Sequence, residues 1–424
     1  MGILAYIRWW LKYIFISILI YTNKMKVFIY GINSFIAKNL YLKLKHEKIN
    51  VFCLNHGEVE KLIFAEDDDV IINFCGVNRG KTADEFYSAN TLLVQNILDW
   101  LKKCGVCPFF VHTSSLMVHG FEDKTRDQLP EYQKNFIESK LAGEIYLEEN
   151  YPKNKFAIVR PSNIYGYNCE PYYNNLLVTL VYEKITKEFK TNKINKNCRR
   201  NFLSIDGLVE QIMEIIKTKK SGNYNILSNN NINLDSLIEI IYPNGIPPEI
   251  SIIDGEKSVA QTHSIVGGEN LVVNEDLSSC ILQMEYKMRK LMDITSITEI
   301  KKLNRLAQPR GDMVEISSLR CERLYMITLT ENSIRGNHYH FEQIEDFYVA
   351  KGRVIFLLAH KDDTSVVFFR ILERDQSIVV KPGLIHTLVN DFIITKPSEV
   401  YVVSTQKFIK NEIPDTKYLN IIPY

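Results

Sequence analysis

From Met25 onward, short apolar runs rich in β-branched residues alternate with segments of helix length: KVFIYG, then SFIAKNLYLKLKHEK, INVFCLN, DVIINFCG, TLLVQNILDWLKKC and CPFFVHTSS. Strand, helix, strand in this order calls for parallel strands joined by right-handed crossovers. The apolar runs are continuous rather than alternating, as expected of strands covered on both faces. From about residue 300 the helical pattern fades and strands predominate: YMITLT, DFYVA, RVIFLLAH, TSVVFFRIL, SIVV and VYVVST. An all-β domain is expected there. The charged segment QMEYKMRKLMDITSITEIKK spans the change, which places a boundary near residue 295.

A chain of 424 residues is long for one core and suits two or three. The reading is a leader over 1–24, an α/β domain over 25–295 and an all-β domain over 296–424. In the leader, YIFISILIY is strongly apolar, but Arg8 and Lys12 interrupt the longer run. It falls short of the roughly 20 clean residues a spanning helix needs. It reads either as an upstream translation artefact, with Met25 the functional start, or as a peripheral membrane anchor over 3–21. With 51 basic and 50 acidic residues, composition makes no electrostatic case for a nucleic-acid partner or an anionic membrane. The eight cysteines are scattered, and Cys104 and Cys107 have no second close pair to complete a structural zinc site. Reduced thiols and a cytoplasmic location follow as the default.

RGNHYHFEQIEDFYVAKG, residues 335–352, puts two histidines one residue apart. On an extended strand His338 and His340 therefore project from the same face as a chelating pair. Glu345 has the opposite parity and joins them only after a turn or bulge, with EDFYVAKG returning as the neighbouring strand and Gly352 closing a hairpin. Downstream, IVVKPGLIHTLVN carries the turn signal Pro382-Gly383 and then His386. Three imidazoles and one carboxylate suit a divalent first-row ion such as zinc, manganese, iron or nickel.

These two stretches resemble the first and second cupin motifs, and AQPRGDMVEI before them resembles the RG-containing entry strand of cupins acting on nucleotide-activated sugars. Residue by residue, His338, His340, Glu345 and His386 fall on the four cupin ligand positions. The resemblance covers roughly the last 125 residues and implies a double-stranded β-helix holding Zn2+ or another divalent metal.

In the first domain, the turn after the first strand runs Gly31-Ile32-Asn33-Ser34-Phe35-Ile36-Ala37, where a dinucleotide-binding fold places G-x-x-G-x-x-G. A helix N-terminus there offers N–H groups and the positive end of a dipole to a pyrophosphate. Ala37 is a small substitute for the third glycine, whereas Ser34 adds a side chain where backbone should approach phosphate. IINFCGVNRG, Asn90, VHTSSLMVHG, FIESK and RPSNIYG follow in the order and spacing of the extended short-chain dehydrogenase/reductases, which this half resembles. The resemblance implies a doubly wound Rossmann-type sheet with a nicotinamide cofactor held by Gly31, Ser34, Phe35, Ile36, Ala37, Gly76 and Lys140. In FCLNHGE no acidic residue stands directly at the end of the strand, where one would bind an NAD ribose hydroxyl, so the cofactor expected is NADPH.

Catalysis in that superfamily needs a tyrosine hydroxyl, a lysine four residues later on the same helix face and a nearby serine or threonine. Ser115, Lys140 and Asn90 match the pattern, but the tyrosine position is Phe136, which has no proton to give. Tyr132, one turn earlier, is the candidate replacement. The resemblance implies that Asn78, Arg79, Asn163 and Tyr165 bind the substrate. A short-chain reductase followed by an RGNHYH cupin resembles the bifunctional capsular polysaccharide enzymes of the UDP-N-acetyl-L-fucosamine pathway. This implies cupin epimerisation at carbon 3 of a UDP-linked 4-keto-6-deoxy-N-acetylhexosamine, NADPH-dependent reduction of the 4-keto group, and a homodimer. Phe136 leaves open a cupin epimerase with a degenerate reductase domain. A non-enzymatic metal-cupin module is the third reading.

Overall fold

The computed structural model describes residues 25–120, 126–173, 175–259, 267–308, 311–393, 396–407 and 416–423. The leader read over 1–24 lies outside the described residues, as does Arg310 of the RG-containing stretch. Among the described residues, no helix is long and apolar enough to cross a membrane. The chain divides into two compact units near residue 285.

The first unit is built on a seven-stranded sheet of β1 (Lys26–Tyr30), β2 (Asn50–Leu54), β3 (Val70–Asn73), β4 (Phe109–Thr113), β5 (Phe156–Pro161), β6 (Gly222–Ser228) and β7 (Glu269–Val273). Their spatial order is β7-β6-β5-β4-β3-β1-β2, and every pairing from β7 across to β1 is parallel. Val27 to Tyr30, Val70 to Ile72 and Phe109 to Val111 are buried, which is why these runs read as continuously apolar. This is a Rossmann-type sheet. The chain reverses its direction of winding between β1 and β3, and such a reversal opens a crevice at the carboxyl ends of the strands. Gly31 sits there with φ +82, and a Cβ on it would lie 2.8 Å from Cys75 N, two residues past β3. Only glycine suits both the backbone angle and the close approach.

Beyond the helix Leu277–Ser296, which runs past this division, the second unit is all-β. Apart from a small two-stranded sheet of Arg305–Gln308 and Gly311–Val314, its strands are β8 (Glu299–Lys302), β9 (Arg323–Leu329), β10 (Ser333–His340), β11 (Glu345–Lys351), β12 (Arg353–His360), β13 (Asp363–Glu373), β14 (Gln376–Val380), β15 (Leu384–Asn390), β16 (Ser398–Ser404) and β17 (Thr416–Tyr418). They form two five-stranded antiparallel sheets, ordered β8-β14-β11-β16-β9 and β13-β12-β15-β10-β17. The hairpin expected between β10 and β11 is absent, because the two strands belong to different sheets. Gly352 (φ +77) likewise turns the chain from one sheet to the other rather than closing a hairpin. Phe347 of the first sheet meets Phe356 of the second at 5.1 Å between ring centroids, so the core lies between the sheets.

Candidate functional site

In the second unit, β10 and β15 pair antiparallel with His338 directly opposite His386. A bulge at Asn337 sets this register, since Gly336 pairs with Thr387 and one residue is then skipped. Asn337 has φ +54 and is fully buried. Its amide donates to Ile422 O at 2.9 Å, while its Oδ1 accepts from Thr387 Oγ1 at 2.8 Å and Ile421 N at 3.1 Å. Gly336 (φ +97) admits no side chain, since a Cβ would collide with the His386 carbonyl oxygen. His340 follows on the same face as His338, and Gly383 N donates to its carbonyl at 2.9 Å, tying the second histidine-bearing turn to the first.

Glu345 arrives from the opposite sheet. Its Oε2 lies 3.2 Å from His340 Nε2 and 3.3 Å from His386 Nε2. One ligand atom from each of His338, His340, Glu345 and His386 falls within 4.8 Å of every other. Metal bonds of about 2.0–2.2 Å would put adjacent ligand atoms of one shell roughly 3.0–3.5 Å apart, so these separations fit a single ion. Oε2 is buried without a hydrogen-bond partner. Burial holds His338 below the usual imidazole range and His386 down at about 3. Burial pushes the Glu345 carboxyl the other way, but His340, His386 and the Tyr325 hydroxyl outweigh it and bring it down to about 2. Near neutrality, His338 and His386 are therefore neutral and the carboxylate is charged, the protonation states a divalent metal requires.

Three further side chains come within hydrogen-bond distance of this group, none of which stands out in the sequence. Tyr325 Oη and Gln343 Nε2 each donate to Glu345 Oε1 at 2.6 Å. Thr416 Oγ1 lies 3.1 Å from His340 Nδ1. Gln343 lies within the motif, whereas Tyr325 is on the preceding strand β9 and Thr416 on β17, both outside the motif and without a local signal. A groove of about 520 Å³ opens beside the group, lined by Tyr325, Met326, Thr328, Arg335, His338 and Tyr418.

In the first unit, Ser34 closes the turn after β1. Its hydroxyl accepts from Ala37 N at 3.2 Å and its backbone N donates to Gly31 O at 2.8 Å. Ser34 is thus the N-cap of the helix Phe35–His46. A side chain where the glycine pattern has none caps one N–H of the helix end from within. Phe35 packs at Gly166, where a Cβ would lie 2.9 Å from its ring, and Ala37 is fully buried. Ile36 lies between them in the first turn of the helix.

Gly76, Asn90 and Lys140 come together. A Cβ on Gly76 would sit 2.7 Å from both Asn90 Oδ1 and Lys140 Nζ. Asn90, in the π-helical turn Ser88–Leu92, donates to Val77 O at 3.0 Å and Ser139 Oγ at 2.9 Å and accepts from Val77 N at 3.0 Å. Lys140 Nζ donates to Thr113 O at 3.0 Å, and burial lowers its pKa to about 8. Ser115 caps the turn Leu116–His119 by accepting from Met117 N at 3.2 Å.

Phe136 lies one helical turn before Lys140 and is 8% exposed. It packs with Phe86, Leu129 and Ile137 against Val77 and Met117. Tyr132 is 51% exposed, and its hydroxyl accepts from Gln133 at 3.1 Å. Asn78 and Arg79 are exposed on the loop after β3, with the Arg79 guanidinium 5.9 Å from the Tyr173 ring centroid. The Asn163 amide donates to Asn201 O at 2.9 Å, while Tyr165 is almost wholly buried. Glu58, just beyond the FCLNHG stretch, accepts from Asn55 N at 2.7 Å and pairs with Lys61.

Residues 27–226 match the NAD dependent epimerase/dehydratase family, and residues 307–417 match the polysaccharide biosynthesis C-terminal domain. No curated protein matches the chain. Among solved structures, the capsular polysaccharide assembling protein CapF from Staphylococcus aureus is 19% identical over 93% of this chain and all of its own, with a TM-score of 0.43. The dTDP-4-dehydrorhamnose reductase from Bacillus anthracis, solved with NADP, is 18% identical over 63% of this chain and 99% of its own, with a TM-score of 0.50. The chain thus joins a domain of the epimerase/dehydratase type to a polysaccharide biosynthesis C-terminal domain.

Proposed function

We propose that this protein modifies a nucleotide-activated sugar for surface polysaccharide synthesis, epimerising carbon 3 of a UDP-linked 4-keto-6-deoxy-N-acetylhexosamine in its C-terminal, cupin-type domain. The observation that carries this reading is the convergence of His338, His340, Glu345 and His386 from facing sheets at the edge of an open groove. Those four residues would hold a divalent metal, zinc being one that suits the donor set. When bound, such an ion supplies a positive charge that stabilises the enolate oxygen formed when a proton leaves the carbon next to a ketone. The chain's own contribution is to bind the sugar in the groove, orient it beside His338 and Tyr325, and keep bulk water from the buried ligands. Removal of the carbon 3 proton and its return on the other face leaves oxidation state and atom count unchanged.

The N-terminal domain is read as holding NADPH at the carboxyl ends of β1 and β3, against Gly31, the helix from Phe35, Gly76 and Lys140, with Asn78, Arg79, Asn163 and Tyr165 toward the sugar nucleotide. Reduction of the 4-keto group by this domain is the bifunctional form of the reading. A specific observation favours the second form, an active epimerase with a silent reductase: Phe136 sits in an apolar cluster, and the Tyr132 hydroxyl is occupied at the surface. Neither Ser115 nor Lys140 then has a phenol to act on.

One experiment tests both domains. The protein is incubated with the UDP-linked 4-keto sugar in heavy water, with and without NADPH. Deuterium at carbon 3 without NADPH is the expected result. A carbon 3 position that stays protiated would overturn the epimerase assignment, and NADPH consumption at an ordinary enzymatic rate would restore the bifunctional reading.

A further inference from the structure

We infer that Tyr325 and Gln343 are positioning residues that clamp Glu345 Oε1 and so restrict this carboxylate to a single metal-facing oxygen. The inference rests on the metal reading proposed above. Two donors from different parts of the chain, one on β9 and one in the turn before β11, both reach the same oxygen at 2.6 Å. The other oxygen receives neither and points at His340 Nε2 and His386 Nε2. A free carboxylate can swing so that both oxygens bind one cation. Here the Oε1 lone pairs face the phenol and the amide, and turning that oxygen inward would break two short hydrogen bonds in a site only 2% exposed at Glu345.

The chemical consequence concerns the open side of the site. A carboxylate taking two positions would occupy coordination space that a ligand in the groove could otherwise use, and catalytic metals keep such a position open. Tyr325 lines that groove with His338. The same phenol therefore shapes the wall where a substrate would lie and fixes the ligand behind it. Gln343 holds the same oxygen from the turn before β11. Thr416 plays a related part for His340, its hydroxyl 3.1 Å from Nδ1 leaving Nε2 to face Glu345. Outer partners of this type typically change metal affinity by about 10–100-fold when removed.

The test uses the full-length protein stripped of metal, then titrated with zinc and separately with cobalt(II), whose visible absorption reports coordination number. Tyr325→Phe removes one hydroxyl and keeps the ring, Gln343→Leu removes the amide, and the double variant removes both donors. The expected result is weaker zinc binding in each single variant, a loss of about 10–100-fold in the double variant, and a cobalt spectrum shifted toward higher coordination as Oε1 turns inward. Circular dichroism of the metal-free proteins checks that all three variants fold. Wild-type zinc affinity with an unchanged cobalt spectrum in a folded double variant would overturn the clamp while leaving the metal site standing. Failure of the wild-type protein itself to bind zinc or cobalt would overturn the metal reading and the clamp with it.

Discussion

Replacing Lys140 with methionine probes how the first unit keeps a charge where packing disfavours one. Burial lowers the pKa of this lysine from 10.5 to about 8. At about 1.36 kcal/mol per pH unit, that gap corresponds to a cost on the order of 3 kcal/mol for carrying the proton in the folded state. Between pH 8 and 10.5 the unfolded chain binds more protons at this residue than the folded one, so folding stability rises with pH there. The cost is fully present below about pH 8 and gone above 10.5. Methionine cannot titrate, so the wild type should gain stability relative to Lys140→Met, by roughly 3 kcal/mol, as pH rises from 7 to 10.5. Taking the difference between the two proteins cancels the tyrosines and cysteines that titrate in the same range. Urea unfolding followed by fluorescence reads it, with Trp100 in the helix Leu93–Cys104 reporting on this unit. Methionine also forfeits the bond to Thr113 O. That loss offsets the absolute stabilities but adds little slope. A difference that stays constant from pH 7 to 10.5 would refute the reasoning and mean that the ammonium is well solvated in the folded protein.

His338→Ala and His386→Ala should each strip the metal and lower the melting temperature of the second unit, because a missing ligand opens the shell and leaves buried partners unpaired; elemental analysis showing stoichiometric metal in both variants would sink the assignment. Phe136→Tyr should raise NADPH-dependent ketone reduction by about 10²–10⁴-fold if the new hydroxyl reaches the substrate carbonyl, at a stability cost of about 1–3 kcal/mol from placing it in an apolar cluster. Tyr132→Phe should leave reduction unchanged, and loss of activity in that variant would show that Tyr132 is the acid. The Arg160–Glu144 pair is buried, with contacts of 2.6 and 3.0 Å, so Glu144→Ala should destabilise the first unit by about 3–5 kcal/mol; thermal unfolding within 1 °C of wild type would contradict this.

What the sequence determined alone was pattern. Continuous apolar runs separated by helical segments announce a parallel sheet because both faces of such strands are buried, and β3 and β4 are buried from end to end, as is β1 from Val27 onward. The later strands were legible for the same local reason, as was the shared face of His338 and His340, since alternation is a property of the strand itself. Phe136 could be seen to lack a hydroxyl, but only packing decided that its ring fills a cluster with Phe86, Leu129 and Ile137. Ser34 looked like a departure from a glycine pattern until the fold placed its hydroxyl on Ala37 N as a helix cap. Strand pairing was the least legible element. Whether β11 returns beside β10 or crosses to the facing sheet depends on contacts across the core, and crossing is what brings Glu345 in front of His340 and His386. The partners that orient this group, Tyr325 and Thr416, come from β9 and β17, outside the histidine motifs, where no local spacing could announce them. Hydrogen bonds between distant strands exist only once the sheets have closed, so it was the tertiary structure that turned a ligand motif into a shaped site.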